Sequence, residues 1–547
     1  MGKDKLKPKL FSVIKNYSKE QFTKDVISGI IVAIIALPLS IALALASGVG
    51  PEQGIYTAIV AGFIISFLGG SRVQIAGPTA AFATIVAGIV QTSGMEGLVV
   101  ATVIAGILLI IMGVLRLGNL IKFIPFTITT GFTAGIAVTI AIGQVKDFLG
   151  LTYADGVKPV ETMEKVKAIA DYIGTINYEA LIVGVICLAI LIVWPKVSEK
   201  VPGSLIAVIV GILMVKFLNM KVNTIGDLYT ISSSLPTFTL PHFSFALIKA
   251  ELGDGVTIAI LAAIESLLSC VVADSMINSK HRSNMELVAQ GLGNIGSVLF
   301  GGIPATGAIA RTAANIKNGG RTPIAGMVHS VVLLLVLVIL MPYAALIPMP
   351  TIAAILFMVA YNMSGWRVFK NLVKTSPKSD IFVLLITFFL TVIFDLVVAI
   401  EVGMLSACIL FMKRMSEETE IKGWKYFDDE NDPDAIELRT VPDHVRVYEI
   451  SGPMFFGVAD RISDITLKDF TRVLIIRMRG VPAVDATAMH SLEGLFEECK
   501  KRNVTLVFSH VNEQPMKTME KDGFVDAVGR DNFCKHIDDA LKRAAEL

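Results

Sequence analysis

Two of the apolar segments of this chain are interrupted in a similar way. Residues 77–80 (GPTA) interrupt the first segment and residues 301–307 (GGIPATG) interrupt the second. Irregular backbone inside a bilayer is tolerated only where it is buried in protein or lines a wet cavity. A matched pair of such interruptions, one in each half of the chain, is typical of the binding site of a secondary transporter.

The composition separates a membrane part from a soluble part. The chain has 547 residues and is 54% hydrophobic but only 17% charged, whereas about a quarter of the residues of a soluble protein are charged. From residue 26 onward the charges gather between apolar stretches that are long enough to span or half-span a bilayer. We expect a cytoplasmic N-terminal segment (1–25), a transmembrane domain (26–415) and a cytoplasmic soluble domain (440–547).

About fourteen apolar spans can be placed in the transmembrane domain. An even number puts both chain ends on one side, and lysine and arginine gather in the loops of that side. On the other side they occur only in the two longest connections. Because positive loops lie in the cytoplasm, we expect both termini there and the protein in the cytoplasmic (inner) membrane. The spans are 26–48, 54–70, 78–92, 97–115, 124–143, 178–195, 202–219, 254–274, 285–300, 304–317, 322–342, 347–362, 379–395 and 396–412.

The two halves of this domain show a faint internal symmetry. Seven spans precede the loop at 220–250 and seven follow it, so the second half enters the membrane with inverted orientation. The third span of each half carries the interruption. This pattern predicts an inverted repeat of seven plus seven helices, with half-helices starting after Pro78 and at Thr306 and facing each other near the midplane. Two helix N-termini with free N–H groups favour an anion there.

Two ionisable residues lie inside these spans. Arg311 falls about five residues into the second half-helix, where it either provides positive charge for an anion or snorkels to the helix end. Glu265 lies midway between Asp254 and Asp274. A buried carboxylate can carry a proton or hold a cation, but it can equally form a structural ion pair with Arg311 or a hydrogen bond to a broken helix.

No pattern in the sequence points to an enzyme, a metal or a cofactor. The five cysteines are scattered, without a disulfide framework or a metal-binding spacing, and His281 and His329 have no second ligand at a suitable distance. Phosphate-binding loops, nucleophile elbows and zinc-protease motifs do not occur. The net charge of +1 gives no sign of a nucleic-acid partner.

Four motifs, in order along the chain, resemble the SulP family, which comprises the sulfate permeases and their relative prestin. They are residues 70–81, 263–268 (AIESLL), 284–294 (NMELVAQGLGN) and 301–315. The resemblance covers nearly the whole chain. Within the family, residues 146–151 and 308–311 are similar to the bacterial aerobic C4-dicarboxylate transporters.

The resemblance implies a core domain and a gate domain of fourteen helices, an elevator-like movement and a dimer. It also implies an anion site between the first, third and tenth helices, with Glu265 beside it on the eighth. Many members have Gln at the position of Leu39 and Ser at that of Ala310, so backbone N–H groups must supply more of the contacts here. The implied substrate-binding residues are Leu39, Leu43, Thr79, Ala80, Ala81, Ala308 and Arg311.

The C-terminal region resembles a STAS domain. Residues 444–450 and 473–478 have strand-like patterns, 485–500 has helical spacing, and the loop 480–487 (GVPAVDAT) matches the STAS signature. Soluble relatives that control sigma factors have a phosphorylatable serine where this chain has Ala486. Asp485 is expected to cap the helix that follows, and a cytoplasmic partner of this domain stays open.

Together these observations predict a secondary transporter of small anions. C4-dicarboxylate uptake coupled to protons through Glu265 is the first hypothesis, with sodium as the other coupling ion and sulfate or bicarbonate as other substrates. A membrane sensor with a STAS output and an anion channel are the alternatives from other classes.

Overall fold

The computed structural model describes residues 6–119, 124–154, 157, 159, 161–198, 201–241, 244–394, 396–417, 419–423, 441–458, 462, 465, 467 and 470–547. It divides into two compact units, Met1–Met404 and Leu405–Leu547. We call these the transmembrane unit and the C-terminal unit. The sequence-based limits at residues 25 and 415 stay predictions, and the limit at 440 lies outside the described residues.

In its described residues, the transmembrane unit is helical apart from two very short strands. Its elements are α1 (Leu10–Val13), α2 (Lys19–Ala46), α3 (Pro51–Leu68), β1 (Ala76–Gly77), α4 (Ala80–Val114), α5 (Phe126–Leu149), α6 (Thr162–Tyr172), α7 (Tyr178–Val197), α8 (Gly203–Phe217), α9 (Ile225–Leu228), α10 (Phe245–Ile277), α11 (Ser283–Leu299), β2 (Thr306–Gly307), α12 (Ile309–Lys317), α13 (Ile324–Ala344), α14 (Met349–Ser364), α15 (Trp366–Thr375), α16 (Lys378–Ile393) and α17 (Leu396–Glu417), the last of which continues into the C-terminal unit.

Each of the predicted spans falls on a helix of this unit. The third and fourth predicted spans both lie on α4, whose backbone is non-helical at Gly94, where φ is +68°. Glycine adopts this left-handed conformation without the steric penalty of a Cβ atom, so the chain bends there between two spans. Eight helices in the described part of the chain are long and apolar enough to cross a membrane.

Small residues let the helices of this unit pack closely. A Cβ atom at Gly291 on α11 would lie only 2.4 Å from the carbonyl oxygen of Gly106 on α4. In a membrane, helix association depends on such close packing because lipid is as apolar as the side chains. Gly106 and Gly291 therefore allow α4 and α11 to pack closely, next to the interrupted segments.

One expectation for the second interrupted segment is wrong. Its helix begins at Ile309 and not at Thr306, because Thr306 and Gly307 are extended and pair with Ala76 and Gly77. Backbone groups that join a strand pair cannot also form the first turn of a helix. Arg311 is consequently the third residue of α12, rather than about the fifth.

The described residues of the C-terminal unit form an α/β domain with one five-stranded sheet. The strand order is β3-β4-β5-β6-β7, with β3 antiparallel to β4 and all other neighbours parallel. Asp485 caps the helix after β5 by accepting a hydrogen bond from the Ala488 N–H group at 2.9 Å, as predicted. The elements are β3 (Glu420–Gly423), β4 (Val445–Ser451), β5 (Val473–Gly480), α18 (Ala486–Lys501), β6 (Thr505–Ser509), α19 (Glu513–Asp522), α20 (Phe524–Val528), β7 (Phe533–Cys534) and α21 (Ile537–Glu546).

Candidate functional site

The two interrupted segments meet as a short antiparallel pair. Ala76 lies opposite Gly307 and Gly77 opposite Thr306, and the Ala308 N–H group donates to the Ile75 carbonyl oxygen at 2.9 Å. Strand pairing satisfies backbone groups that would otherwise be unpaired within the membrane. Because α4 starts three residues after β1 and α12 starts two residues after β2, the pairing brings two helix N-termini together.

Side chains behind this pair hold the extended segment in place. The Ile75 N–H group donates to the Thr312 hydroxyl at 3.0 Å, and the Asn315 side-chain amide donates to the Val73 carbonyl oxygen at 2.8 Å. On the other strand, the Asn294 side chain both donates to the Ala305 carbonyl oxygen and accepts from the Ala305 N–H group, each at 2.8 Å. The interruption is therefore an ordered feature.

A buried carboxylate anchors the start of the first interrupted segment. Glu286 on α11 accepts hydrogen bonds from the backbone N–H groups of Gly70 and Ser71, at 2.8 and 3.1 Å. It also accepts from the side-chain amides of Gln74 and Gln290, both at 3.0 Å. Four donors are the full complement that a carboxylate can accept, so Glu286 fixes the chain just before β1.

The Arg311 guanidinium is buried directly behind this junction. The side chain is only 1% exposed, and Nη2 donates to the Pro78 carbonyl oxygen at 3.2 Å. The Nε and Nη1 groups have no hydrogen-bond partner among the described residues. Gly77 makes room for Arg311, because a Cβ atom there would lie 2.5 Å from Nη1. Arg311 forms no ion pair with a carboxylate in the described part of the chain.

Glu265 contacts the first interrupted segment rather than Arg311. One of its carboxylate oxygens accepts a hydrogen bond from the Thr79 hydroxyl at 3.0 Å. Thr79 directly precedes α4 and its side chain does not cap that helix. The sequence left open whether Glu265 forms an ion pair with Arg311 or a hydrogen bond to a broken helix. The hydrogen bond is the one observed, and it connects the Glu265 carboxylate to the N-terminus of α4.

The remaining predicted residues lie on the same helices. Ala80 and Ala81 are the first two residues of α4, and Ala308 directly precedes α12. Leu43 belongs to the same buried apolar cluster as Ala80 and Ala81, and Leu39, one turn earlier on α2, packs against that cluster. The structure therefore brings the predicted residues together around two helix starts, and none of the four aliphatic side chains on α2 and α4 offers a polar contact.

Sequence reasoning missed the polar residues that position the site. Gln74, Asn294, Thr312 and Asn315 are all buried, and each donates or accepts at the junction. Their signal in the sequence is an uncharged polar residue inside or beside a span. That signal says that a hydrogen bond is needed but does not say with which partner.

Two discontinuous helices that meet within a membrane domain are typical of membrane transporters, and the buried Arg311 guanidinium beside them favours an anion. The chain belongs to the sulfate permease family, since the model of that family matches residues 22–387. A STAS domain model matches residues 435–540. These matches confirm the family that the sequence motifs predicted, together with its transmembrane and STAS parts.

Relatives cover almost the whole chain. YvdB of Bacillus subtilis (strain 168), named as a candidate sulfate transporter, is 41% identical over 530 residues, or 96% of this chain and 98% of YvdB. The bicarbonate transporter BicA of Picosynechococcus sp. (strain PCC 7002) is 32% identical over 541 residues, or 95% of this chain and 94% of BicA. These relatives are named as transporters and not as enzymes, and this chain is an anion transporter of the same family.

Solved structures share the fold. Murine Slc26a9, an anion transporter in the inward-facing state, has a TM-score of 0.89 at 18% identity, covering 99% of this chain and 94% of that chain. The transmembrane domain of a cyanobacterium bicarbonate transporter, BicA, has a TM-score of 0.62 at 26% identity, covering 72% of this chain and 98% of that chain. The predicted fold class, a helical membrane transporter domain followed by a STAS domain, is thereby confirmed.

Proposed function

We propose that this protein is a secondary active transporter that takes up small anions, with C4-dicarboxylates as the first candidate substrate. The observation that carries the proposal is the buried Arg311 guanidinium, whose Nε and Nη1 groups have no partner among the residues described, beside the starts of α4 and α12. A buried charge without a counter-charge is costly. A bound anion would supply the negative counter-charge and would accept hydrogen bonds from the free N–H groups at the starts of both helices.

In this proposal the anion is bound mainly by main-chain groups. Ala80 and Ala81 would offer N–H groups at the start of α4. Ala308, whose N–H group donates to the Ile75 carbonyl oxygen, would line the site at the start of α12, and Leu39 and Leu43 would form an apolar wall. Such a wall suits the methylene groups between two carboxylates, which supports a C4-dicarboxylate. The similarity of residues 146–151 and 308–311 to dicarboxylate transporters supports the same choice.

Sulfate or bicarbonate is the second candidate substrate. The names of YvdB and BicA favour it, because both relatives are similar to this chain over nearly its whole length. Each of these anions carries its charge in one compact group. Two helix N-termini and one guanidinium can hold a compact oxyanion as well as one end of a dicarboxylate.

We propose that Glu265 couples uptake to a proton, with sodium as the second choice. As a carboxylate, Glu265 accepts a hydrogen bond from Thr79 at 3.0 Å. Protonation would turn it into a donor as well and would remove a negative charge from beside the anion. Loading of the proton and of the anion would then favour each other.

We further propose an elevator-type movement in a homodimer of the inner membrane, with both termini and the STAS domain in the cytoplasm. The strand pair and the hydrogen bonds of Thr312 and Asn315 tie α4 and α12 into one block, as a rigidly moving site requires. A cytoplasmic partner of the STAS domain is part of this proposal. A sensor has no need of such a site, whereas an anion channel could use it.

Uptake into proteoliposomes tests these proposals. Labelled succinate, sulfate and bicarbonate are offered with and without a pH gradient or a sodium gradient. We expect succinate accumulation that depends on the pH gradient. Movement of sulfate or bicarbonate alone would overturn the dicarboxylate assignment, and movement that never exceeds electrochemical equilibrium would favour a channel.

The Glu265→Gln variant tests coupling. We expect it to lose gradient-driven accumulation because the amide cannot carry the proton, while exchange of internal for external anion continues. Glu96→Gln, which changes an exposed carboxylate of the same unit, is the matched control. Full gradient-driven accumulation by Glu265→Gln would disprove the coupling role.

A further inference from the structure

A second polar region lies at the end of the transmembrane unit that is remote from the start of α2. It surrounds a cavity of about 550 Å3 between the C-terminal end of α2, the face of α4 one turn beyond Ala80, and α5 and α14. Its polar lining includes Thr84, Gln91, Thr139 and Gln144. We call this cavity the outer vestibule. Since its wall continues from Ala80 and Ala81 along α4, an anion moving through it would reach the helix starts of the candidate site.

Among the described residues, one ammonium group faces this vestibule, from a helix outside the membrane-spanning set. Lys165 on α6 lines the cavity, and its Nζ atom lies 3.9 Å from the position of a Cβ atom at Gly143 on α5. Lys165 is half-buried, and no ion pair or hydrogen bond of its side chain occurs within the described residues. Burial lowers the pKa of Lys165 whereas Glu164 acts in the opposite direction, so the ammonium is partly removed from water.

Neighbouring carboxylates among the described residues form no ion pair with this ammonium. Glu164 accepts a hydrogen bond from the Glu161 N–H group at 3.3 Å, as part of the N-terminal cap of α6. Asp147 lines the same cavity, but it forms no ion pair with Lys165 in the described structure. A partly desolvated cation that has no ion pair within the described residues, in the wall of such a cavity, raises the local concentration of anions.

We infer that Lys165 is an anion-recruiting residue of the outer vestibule, which draws the substrate toward the candidate site before Arg311 binds it. The ligand class is a small anion of either one or two negative charges. The inference rests on the proposed direction of uptake, but it does not depend on which anion is carried. It gives α6, a helix in one of the longest connections, a role in transport.

Transport kinetics provide the first test. For each of succinate, sulfate and bicarbonate that is carried, we expect Lys165→Gln to raise the external KM roughly three- to tenfold at low ionic strength. The change should be smaller at high salt, because salt screens the long-range attraction of an anion that is still in solution. Lys165→Arg should stay within about twofold of the parent, since it keeps the charge. Lys167→Gln, an exposed lysine of the same helix, should leave KM unchanged. Equal KM values for the Lys165→Gln and Lys167→Gln proteins would overturn the inference.

A second test needs no transport and therefore separates this inference from the proposed function. Thr84 lines the vestibule, so a cysteine introduced by Thr84→Cys can be labelled with thiol reagents of negative or zero charge, with the unsubstituted chain as background. We expect the rate ratio of the negative to the neutral reagent to fall at least threefold when Lys165→Gln is added, and not with Lys167→Gln. An unchanged ratio would show that Lys165 does not attract anions, even if succinate, sulfate or bicarbonate is carried.

Discussion

Single residues determine the electric charge at the candidate site. Arg311 could be recognised from the sequence because it interrupts small and apolar residues, but its unpaired state could not. Only the fold shows that Nη2 donates a hydrogen bond to the Pro78 carbonyl oxygen, while Nε and Nη1 have no partner in the described structure. Glu265 was recognised in the same way, yet its partner proved to be Thr79 rather than Arg311.

Replacing Arg311 should separate stability from transport. We expect Arg311→Gln to abolish uptake, with at least a tenfold loss of kcat/KM, while the melting temperature stays equal or rises, because an unpaired buried charge is removed. In addition, a transported anion should raise the melting temperature of the parent and not that of the variant. Thermal unfolding in detergent and uptake in proteoliposomes measure both effects.

The matched control for this prediction is Arg367→Gln, since Arg367 is exposed on α15. It should keep both uptake and anion stabilisation. Anion-dependent stabilisation of Arg311→Gln equal to that of the parent would contradict the assignment of Arg311 to the site.

At the scale of elements, the decisive feature is the pairing of β1 with β2. Two residues from each half of the chain pair across separations of 231 and 229 positions and hold two helix starts beside each other. The sequence predicted both interruptions and the inverted orientation of the halves, but it extended the second helix to Thr306. It could not show that strand pairing competes with the first turn of that helix.

Gly77 is required at this junction because Arg311 occupies the space of its missing side chain. We expect Gly77→Ala to displace the guanidinium, since the new methyl group would lie 2.5 Å from Nη1, and to lower uptake at least tenfold. Overpacking of this kind also costs about 1–3 kcal/mol of stability. Gly88→Ala on α4, where no atom lies within 4 Å of the added Cβ, should transport normally, and equal uptake by both variants would disprove the requirement.

Glu286 fixes the segment that leads into β1. A glutamine at this position presents an NH2 group to donors that now meet a carboxylate oxygen, so Glu286→Gln should lower stability by about 1–3 kcal/mol. We expect a lower melting temperature together with an increase in protease cleavage near residues 70–74. Glu96→Gln serves again as the exposed control, and an unchanged melting temperature of Glu286→Gln would show that the four hydrogen bonds do not stabilise the segment.

At the scale of the whole molecule, the chain combines two units with separate cores. The apolar cluster of the C-terminal unit is built from its own strands and helices, such as Leu474, Leu492 and Phe508. Its sheet and the cap at Asp485 are complete without residues of the transmembrane unit. A soluble α/β domain of this kind is expected to fold independently.

Removal of residues 440–547 tests what the STAS domain contributes. For a transporter, we expect the shortened protein to remain in the membrane and to bind its anion, but to lose dimer stability or turnover rate severalfold. Light scattering of the purified protein and initial uptake rates measure this. Undiminished assembly and uptake, combined with loss of a cellular response, would instead favour the sensor hypothesis.

Hydropathy and Gly/Pro punctuation are local properties of the chain, so the membrane and soluble parts, the approximate spans, the two interruptions and the family could be predicted from the sequence. Arg311 and Glu265 could be predicted as well, since a charge in an apolar span is conspicuous. The partners of these groups became visible only in the fold: Glu265 with Thr79, Glu286 with residues 70–74, and Lys165 with no partner among the residues described. Pairing joins residues that are far apart in sequence, so it depends on how the halves pack, which local pattern does not encode.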